Sequence, residues 1–140
     1  MSIAGFDHVA IPMQRVEEML AFYRRLGFRI EERNAPRYAA HFGPHKINLQ
    51  APAVWGNESF TLRGPTAVPG CGDFCFVWTD GAEALAHMLA AADAQVIEGP
   101  VPRHGARDDG PPSGSSTYIR DPDSNLLEFI IYPEGDEHER

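Results

Sequence analysis

Apolar residues recur along this chain with two periods, and the alternation between them sets out the elements. Phe6 to Pro12 alternates as a β-strand, after which Val16, Met19, Leu20, Tyr23 and Leu26 fall at helical spacing, with Gly27 placed to stop the helix. Three short β-type runs follow, Phe28 to Glu32, Tyr38 to Phe42 and Lys46 to Leu49, separated by the turn signals Asn34-Ala35-Pro36 and Gly43-Pro44. This unit reads β-α-β-β-β. Beyond a stretch rich in Pro, Gly and polar residues the same order returns. Asp73 to Thr79 alternates as a strand, and Ala82, Leu85, Met88, Leu89 and Ala92 mark a second amphipathic helix. Gln95 to Glu98 and Ser116 to Arg120 are strand candidates, and Leu126 to Tyr132 closes the set after the turn 121–125. The pattern predicts a single α+β domain over 1–140: module one at about 5–50, a linker at 51–70, module two at about 71–133 and an acidic tail at 134–140.

The repeat puts His8 and Asp73 in the first strand of their modules and Asn48 and Glu128 in the last, so four polar side chains are expected to converge. Strand parity places Glu128 on one face with Leu126, Ile130 and Tyr132, and His8 with Phe6 and Ala10. A carboxylate on an apolar face loses hydration unless a cation or strong donor compensates it, and a metal ion between the two strands is one such compensation. The alternatives are a hydrogen-bonded core histidine, a rim carboxylate paired with Arg120, and an Asp73 that caps a turn after Gly72.

Composition narrows the function classes. The 140 residues are 43% hydrophobic and 10% aromatic, ordinary for a globular protein with a real core. A net charge of -8 argues against a nucleic-acid partner, which needs a basic surface. No apolar run approaches a membrane span and the chain enters a strand pattern without a signal-like leader, so the expectation is a cytoplasmic protein with no membrane partner. Cys71 and Cys75 lie four apart in an extended segment, about 13 Å between Cα atoms, too far for a disulfide. They are expected as reduced core or interface thiols. His41 and His45 are separated by the helix-breaking Gly43-Pro44 and are expected at the surface.

Asp7-His8-Val9-Ala10-Ile11, Phe22-Tyr23 with Leu26-Gly27-Phe28, and Tyr118-Ile119-Arg120-Asp121-Pro122-Asp123 with Asn125-Leu126-Leu127-Glu128 together span nearly the whole chain. In these stretches the sequence resembles the vicinal oxygen chelate superfamily, which includes glyoxalase I, fosfomycin- and bleomycin-resistance proteins and extradiol dioxygenases. Lys46-Ile47-Asn48-Leu49, Val96 to Pro100 and Gly105-Ala106-Arg107 look like a glyoxalase-domain subgroup. The resemblance implies two βαβββ modules whose curved mixed sheets form a cleft with helices outside, a homodimer, and four ligand positions that carry over to His8, Asn48, Asp73 and Glu128. Asn48 stands where a glyoxalase I has a carboxylate, and Asp73 where most metal-binding members have histidine.

His8, Asp73 and Glu128 would form a one-histidine, two-carboxylate site for Ni, Zn, Mn, Fe or Co, with Glu128 as the proton-moving base because Asn48 cannot accept a proton at neutral pH. Two readings stay open. One is a divalent-metal-dependent, lactoylglutathione-lyase-like lyase or isomerase acting on a small substrate with vicinal oxygens. The other is a metal-free protein that sequesters a drug or metabolite, as bleomycin-resistance members do. Extradiol dioxygenase chemistry is weakened by Asp73 in place of a second histidine. The loop 102–114 looks like a lid in which Arg103, His104 and Arg107 could receive a substrate carboxylate or phosphate, with Asn48 and Tyr118 as further substrate-binding candidates.

Overall fold

The computed structural model describes residues 1–107 and 112–133. The middle of the expected lid, 108–111, and the acidic tail, 134–140, lie outside the described residues. The chain divides into two compact units. The first holds Met1–Gly72 with the short segment Pro122–Asn125, and the second begins at Asp73 and holds the remaining strands.

The first unit runs β1 (His8–Pro12), α1 (Val16–Arg25), β2 (Arg29–Asn34), β3 (Arg37–Phe42), β4 (His45–Gln50) and a one-turn α2 (Pro52–Trp55). Its four strands form a mixed sheet in the order β1-β4-β3-β2, with β1 parallel to β4 and the other pairs antiparallel. Helix α1 forms because Met19, Leu20, Phe22 and Tyr23 bury one stripe, while Glu17 and Glu18 in its first turn and Arg24 and Arg25 in its last oppose the helix dipole. Gly27 stops it as expected. At φ +101 this glycine lets its own N–H donate to Arg24 and the Phe28 N–H to Tyr23, the paired bonds of a left-handed helix end.

The start of α1 is capped from far along the chain. Arg15 offers no side-chain cap of its own; instead the Asp123 carboxylate accepts from the Gln14 N–H at 2.8 Å and the Arg15 N–H at 3.0 Å. Buried Asn125 accepts from the Gly72 N–H at 2.7 Å. The Pro-Asp-x-Asn run 122–125 is therefore a structural clasp within the first unit. Asp123→Ala should cost about 1 to 2 kcal/mol in chemical denaturation, and Asp123→Asn, which keeps one acceptor and loses the charge, less than that.

The second unit repeats the order: β5 (Asp73–Val77), α3 (Ala82–Ala91), β6 (Glu98–Arg103), β7 (Gly114–Arg120) and β8 (Leu126–Ile131), in a sheet of order β5-β8-β7-β6. Leu85 and Leu89 of α3 are buried, as are Ile119, Leu127, Phe129 and Ile130 of the sheet. One expected strand is displaced. The run Gln95 to Glu98 is mostly coil and β6 covers Glu98–Arg103, reaching into the start of the expected lid loop. Pro100 and Pro102 are tolerated because β6 is the edge strand, where a missing N–H leaves no ladder bond unmade. The two modules thus share one topology, a mixed four-stranded sheet in each.

Candidate functional site

Each sheet presents one polar, open row, and register shows that the rows correspond. In the first sheet Ala10 pairs with Asn48, and His8 lies two residues before Ala10. In the second Cys75 pairs with Glu128, and Asp73 lies two residues before Cys75. The His8/Asn48 pair of positions in one module is therefore the structural equivalent of Asp73/Glu128 in the other.

His8 does not occupy the apolar face expected for it. It is exposed, because β1 begins at His8 itself, leaving Phe6 outside the strand and 80% exposed, while its register partner is Lys46, which in turn pairs with His41. Its Nδ1 bonds the Asp7 carboxylate at 2.7 Å, which leaves Nε2 without a partner among the described residues. A carboxylate behind one imidazole nitrogen fixes the ring and makes the other nitrogen a better ligand. The Asp7 carboxyl is held below its ordinary range by that same bond and by the nearby His8 charge. His41 and His45, expected at the surface, are half-buried: His41 Nε2 bonds Glu31 at 2.8 Å, and the His45 ring packs 5.8 Å from Phe42.

Glu128 is half-buried between Leu126 and Ile130 along its strand, and the donors that compensate it come from its own sheet. Ser116 Oγ donates to its carboxylate at 2.6 Å, and the Cys75 thiol and Tyr118 hydroxyl also reach it. Tyr118 is oriented by Arg103, whose Nε donates to the phenol oxygen at 2.9 Å while Nη2 meets Glu98 at 3.1 Å. Loss of hydration and the Glu128 charge raise the Tyr118 hydroxyl above its ordinary range, against the pull of Arg103. Arg103 thus lies on β6 and in contact with the Glu128 cluster, whereas Arg107 stacks 4.5 Å over the Tyr132 ring. His104 is exposed. Ser116 and Cys75 are partners that sequence reading missed; strand parity with Tyr118 and Asp73 was the signal that pointed to them.

Cys71 and Cys75 are both free and exposed, not core thiols. Loss of hydration first, and then the Glu128 and Asp73 charges, push the Cys75 thiol up to about 12. At pH 8 its thiolate fraction is about a thousandfold below that of an ordinary thiol. Mass spectrometry after iodoacetamide treatment should therefore find Cys75 far slower to alkylate than Cys71, and Glu128→Gln should accelerate Cys75.

A family model described as Glyoxalase/Bleomycin resistance protein/Dioxygenase superfamily matches residues 5–129. The chain belongs to this superfamily. It is 37% identical over 135 residues to the glyoxalase domain-containing protein RDO1 of Mycosarcoma maydis, covering 96% of this chain and 72% of that one. It is 32% identical over 133 residues to virulence protein STM3117 of Salmonella typhimurium, covering 94% and 87%. The crystal structure of STM3117 superposes with a TM-score of 0.82 over 95% of this chain and all of that one, at 31% identity. A lactoylglutathione lyase from Agrobacterium tumefaciens, at 19% identity and a TM-score of 0.68 over 92% and 94%, shares the fold. No helix among the described residues is long and apolar enough to cross a membrane.

Members of the glyoxalase superfamily commonly use a divalent metal. By type, an Asp7-backed imidazole and the carboxylates of Asp73 and Glu128 suit a first-row divalent ion. Among the described residues no three His, Cys, Asp or Glu side chains are grouped to hold a metal.

Proposed function

We propose that this superfamily member is a divalent-metal-dependent, glyoxalase-like lyase or isomerase acting on a small substrate with vicinal oxygens, its donor set completed between the two chains of a homodimer. The observation that supports this most is the equivalence of His8/Asn48 and Asp73/Glu128 in the registers of the two sheets. His8 through Nε2, Asp73 and Glu128 would hold the ion, and when bound it would supply a Lewis acid for two adjacent substrate oxygens. Glu128 takes up the proton moved between adjacent carbons. Ser116, Tyr118 and Cys75 aim its carboxylate, and Arg103 aims Tyr118. The Asn48 amide at the equivalent position has no basicity to offer, so one base serves both halves of the proton transfer.

A specific observation favours a second reading. Donors from its own sheet already compensate Glu128, which suits a metal-free protein that sequesters a drug or metabolite. Turnover of methylglyoxal-glutathione hemithioacetal, fosfomycin with thiols, and catechols, each with and without added divalent ion, separates the two. Ion-dependent turnover of any of them, abolished in Glu128→Gln, supports the enzyme. Tight binding without turnover of a ligand whose affinity is indifferent to chelator supports the binding protein.

A further inference from the structure

A groove of about 750 Å³ lies wholly within the first unit and is lined among others by His8, Asn48, Lys46, Arg37, Phe60 and Leu62. Its charges are unevenly matched. Glu31, the carboxylate on its wall, is engaged by His41 at 2.8 Å and by Arg33 at 3.1 Å, which holds its carboxyl below the usual range. Lys46 sits near Asp7, and neither Lys46 nor Arg37 has a salt-bridged carboxylate among the described residues. In a chain of net charge -8 an unmatched guanidinium at a groove wall calls for a reason.

Arg37 is held ready rather than loose. Its guanidinium carbon lies 5.4 Å from the centroid of the Phe60 ring, a cation–π contact that restrains the side chain. Its place along the sheet sets a length. Arg37 pairs with Gln50, and His8 pairs with Lys46, four residues earlier on the same β4 strand. The two rows are therefore about 13 Å apart. Between them runs the row Ala10, Asn48 and Ala39, and Leu62 also lines the groove.

We propose that Arg37, packed against Phe60, anchors the carboxylate or phosphate of an elongated organic anion whose body passes Asn48 and whose other end lies beside His8. The near end rests on the reading of those residues given above; the anchor does not. A bidentate, charge-assisted contact at one end of an apolar body then selects substrate by length and charge.

The test uses 4-phenylbutyrate, 3-phenylpropyl phosphate and the neutral 4-phenylbutyramide, titrated into the intact chain with chelator present and followed by calorimetry and amide chemical shifts. The wild-type chain should prefer the better anion over the amide by about tenfold, the size expected of one charge-assisted contact. The tighter of the two anions names the headgroup. Arg37→Gln should remove that preference, Arg37→Lys should keep part of it, and Arg33→Gln, which alters a paired cation on the same wall, should leave it unchanged. Arg37 is exposed, so circular dichroism and melting temperature of its variants should match the wild type. Shifts should centre on Arg37, Gln50 and Phe60. Equal binding of anion and amide by the wild type, or an anion preference surviving in Arg37→Gln, overturns the proposal. Because chelator is present throughout, a failure of the metal reading leaves this result standing, and a failure here leaves the metal reading untouched.

Discussion

Glu128→Ala is expected to lower turnover of any substrate processed at this site by at least about a hundredfold, the usual scale for removing a general base that acts in the transition state. The loss falls on kcat rather than on KM, because the carboxylate accepts a proton and the neighbouring groups remain to hold substrate. Glu128→Gln should lose nearly as much while keeping the fold, since the amide still accepts from Ser116 Oγ, now 2.6 Å away, but has no affinity for a proton. Ser116→Ala and Tyr118→Phe should each fall between these and the wild type, because they loosen the carboxylate without removing it. A Glu128→Gln variant with wild-type turnover would remove Glu128 from the chemistry altogether.

Leu127→Ala should be the most destabilising single truncation near the site. Leu127 is completely buried, flanked in register by Phe74 on β5 and by Ile119, itself completely buried, on β7. Shortening it removes most of a leucine side chain and leaves a cavity between strands that cannot slide to fill it, at a cost of about 3 kcal/mol. Melting temperature should fall by about 10 °C in calorimetry, given how stability scales with size. Glu128→Gln, one residue along and on the opposite face of the strand, should shift it by far less. The contrast between neighbours separates the residue that packs from the residue that acts.

Much of the topology was legible because it rests on local signals. The stripe of α1, the Gly27 stop and the alternation of β1, β4, β5 and β8 are each written within a few residues, and they locate those elements to within two residues or so. What sequence reading missed came from long range. No local pattern announces that Asp123 caps a helix more than a hundred residues earlier, because the carboxylate and the amides it receives are brought together only by the fold. The prolines of β6 hid a strand, since their cost depends on whether the strand is at an edge, which is a property of the sheet. His8 was expected among apolar neighbours from its own strand alone, whereas its environment is set across the sheet by Lys46 and His41.

The candidate site divides in the same way. Parity singled out Glu128 and the module repeat put Asn48 in the matching strand, because both patterns are readable in one dimension. It did not find the compensation of Glu128 by Ser116 and Cys75, which depends on which strands pair and in what register. Nor did it single out Arg37, whose meaning comes from the Phe60 ring beneath it and from the acids that are already occupied elsewhere in the groove.

In the proposed metal site the imidazole of His8 and the carboxylate of Glu128 would hold one divalent ion. Elemental analysis of chain purified without chelator and reconstituted with excess Ni, Zn, Mn, Fe or Co, then desalted, tests it most directly, with His8→Ala and Glu128→Ala measured alongside. Close to one ion per chain is expected in the wild type and less than about a tenth of that in both variants, as follows from losing one of three protein ligands. A wild-type chain that retains no ion from any of the five, or a variant that retains a full complement, would contradict it.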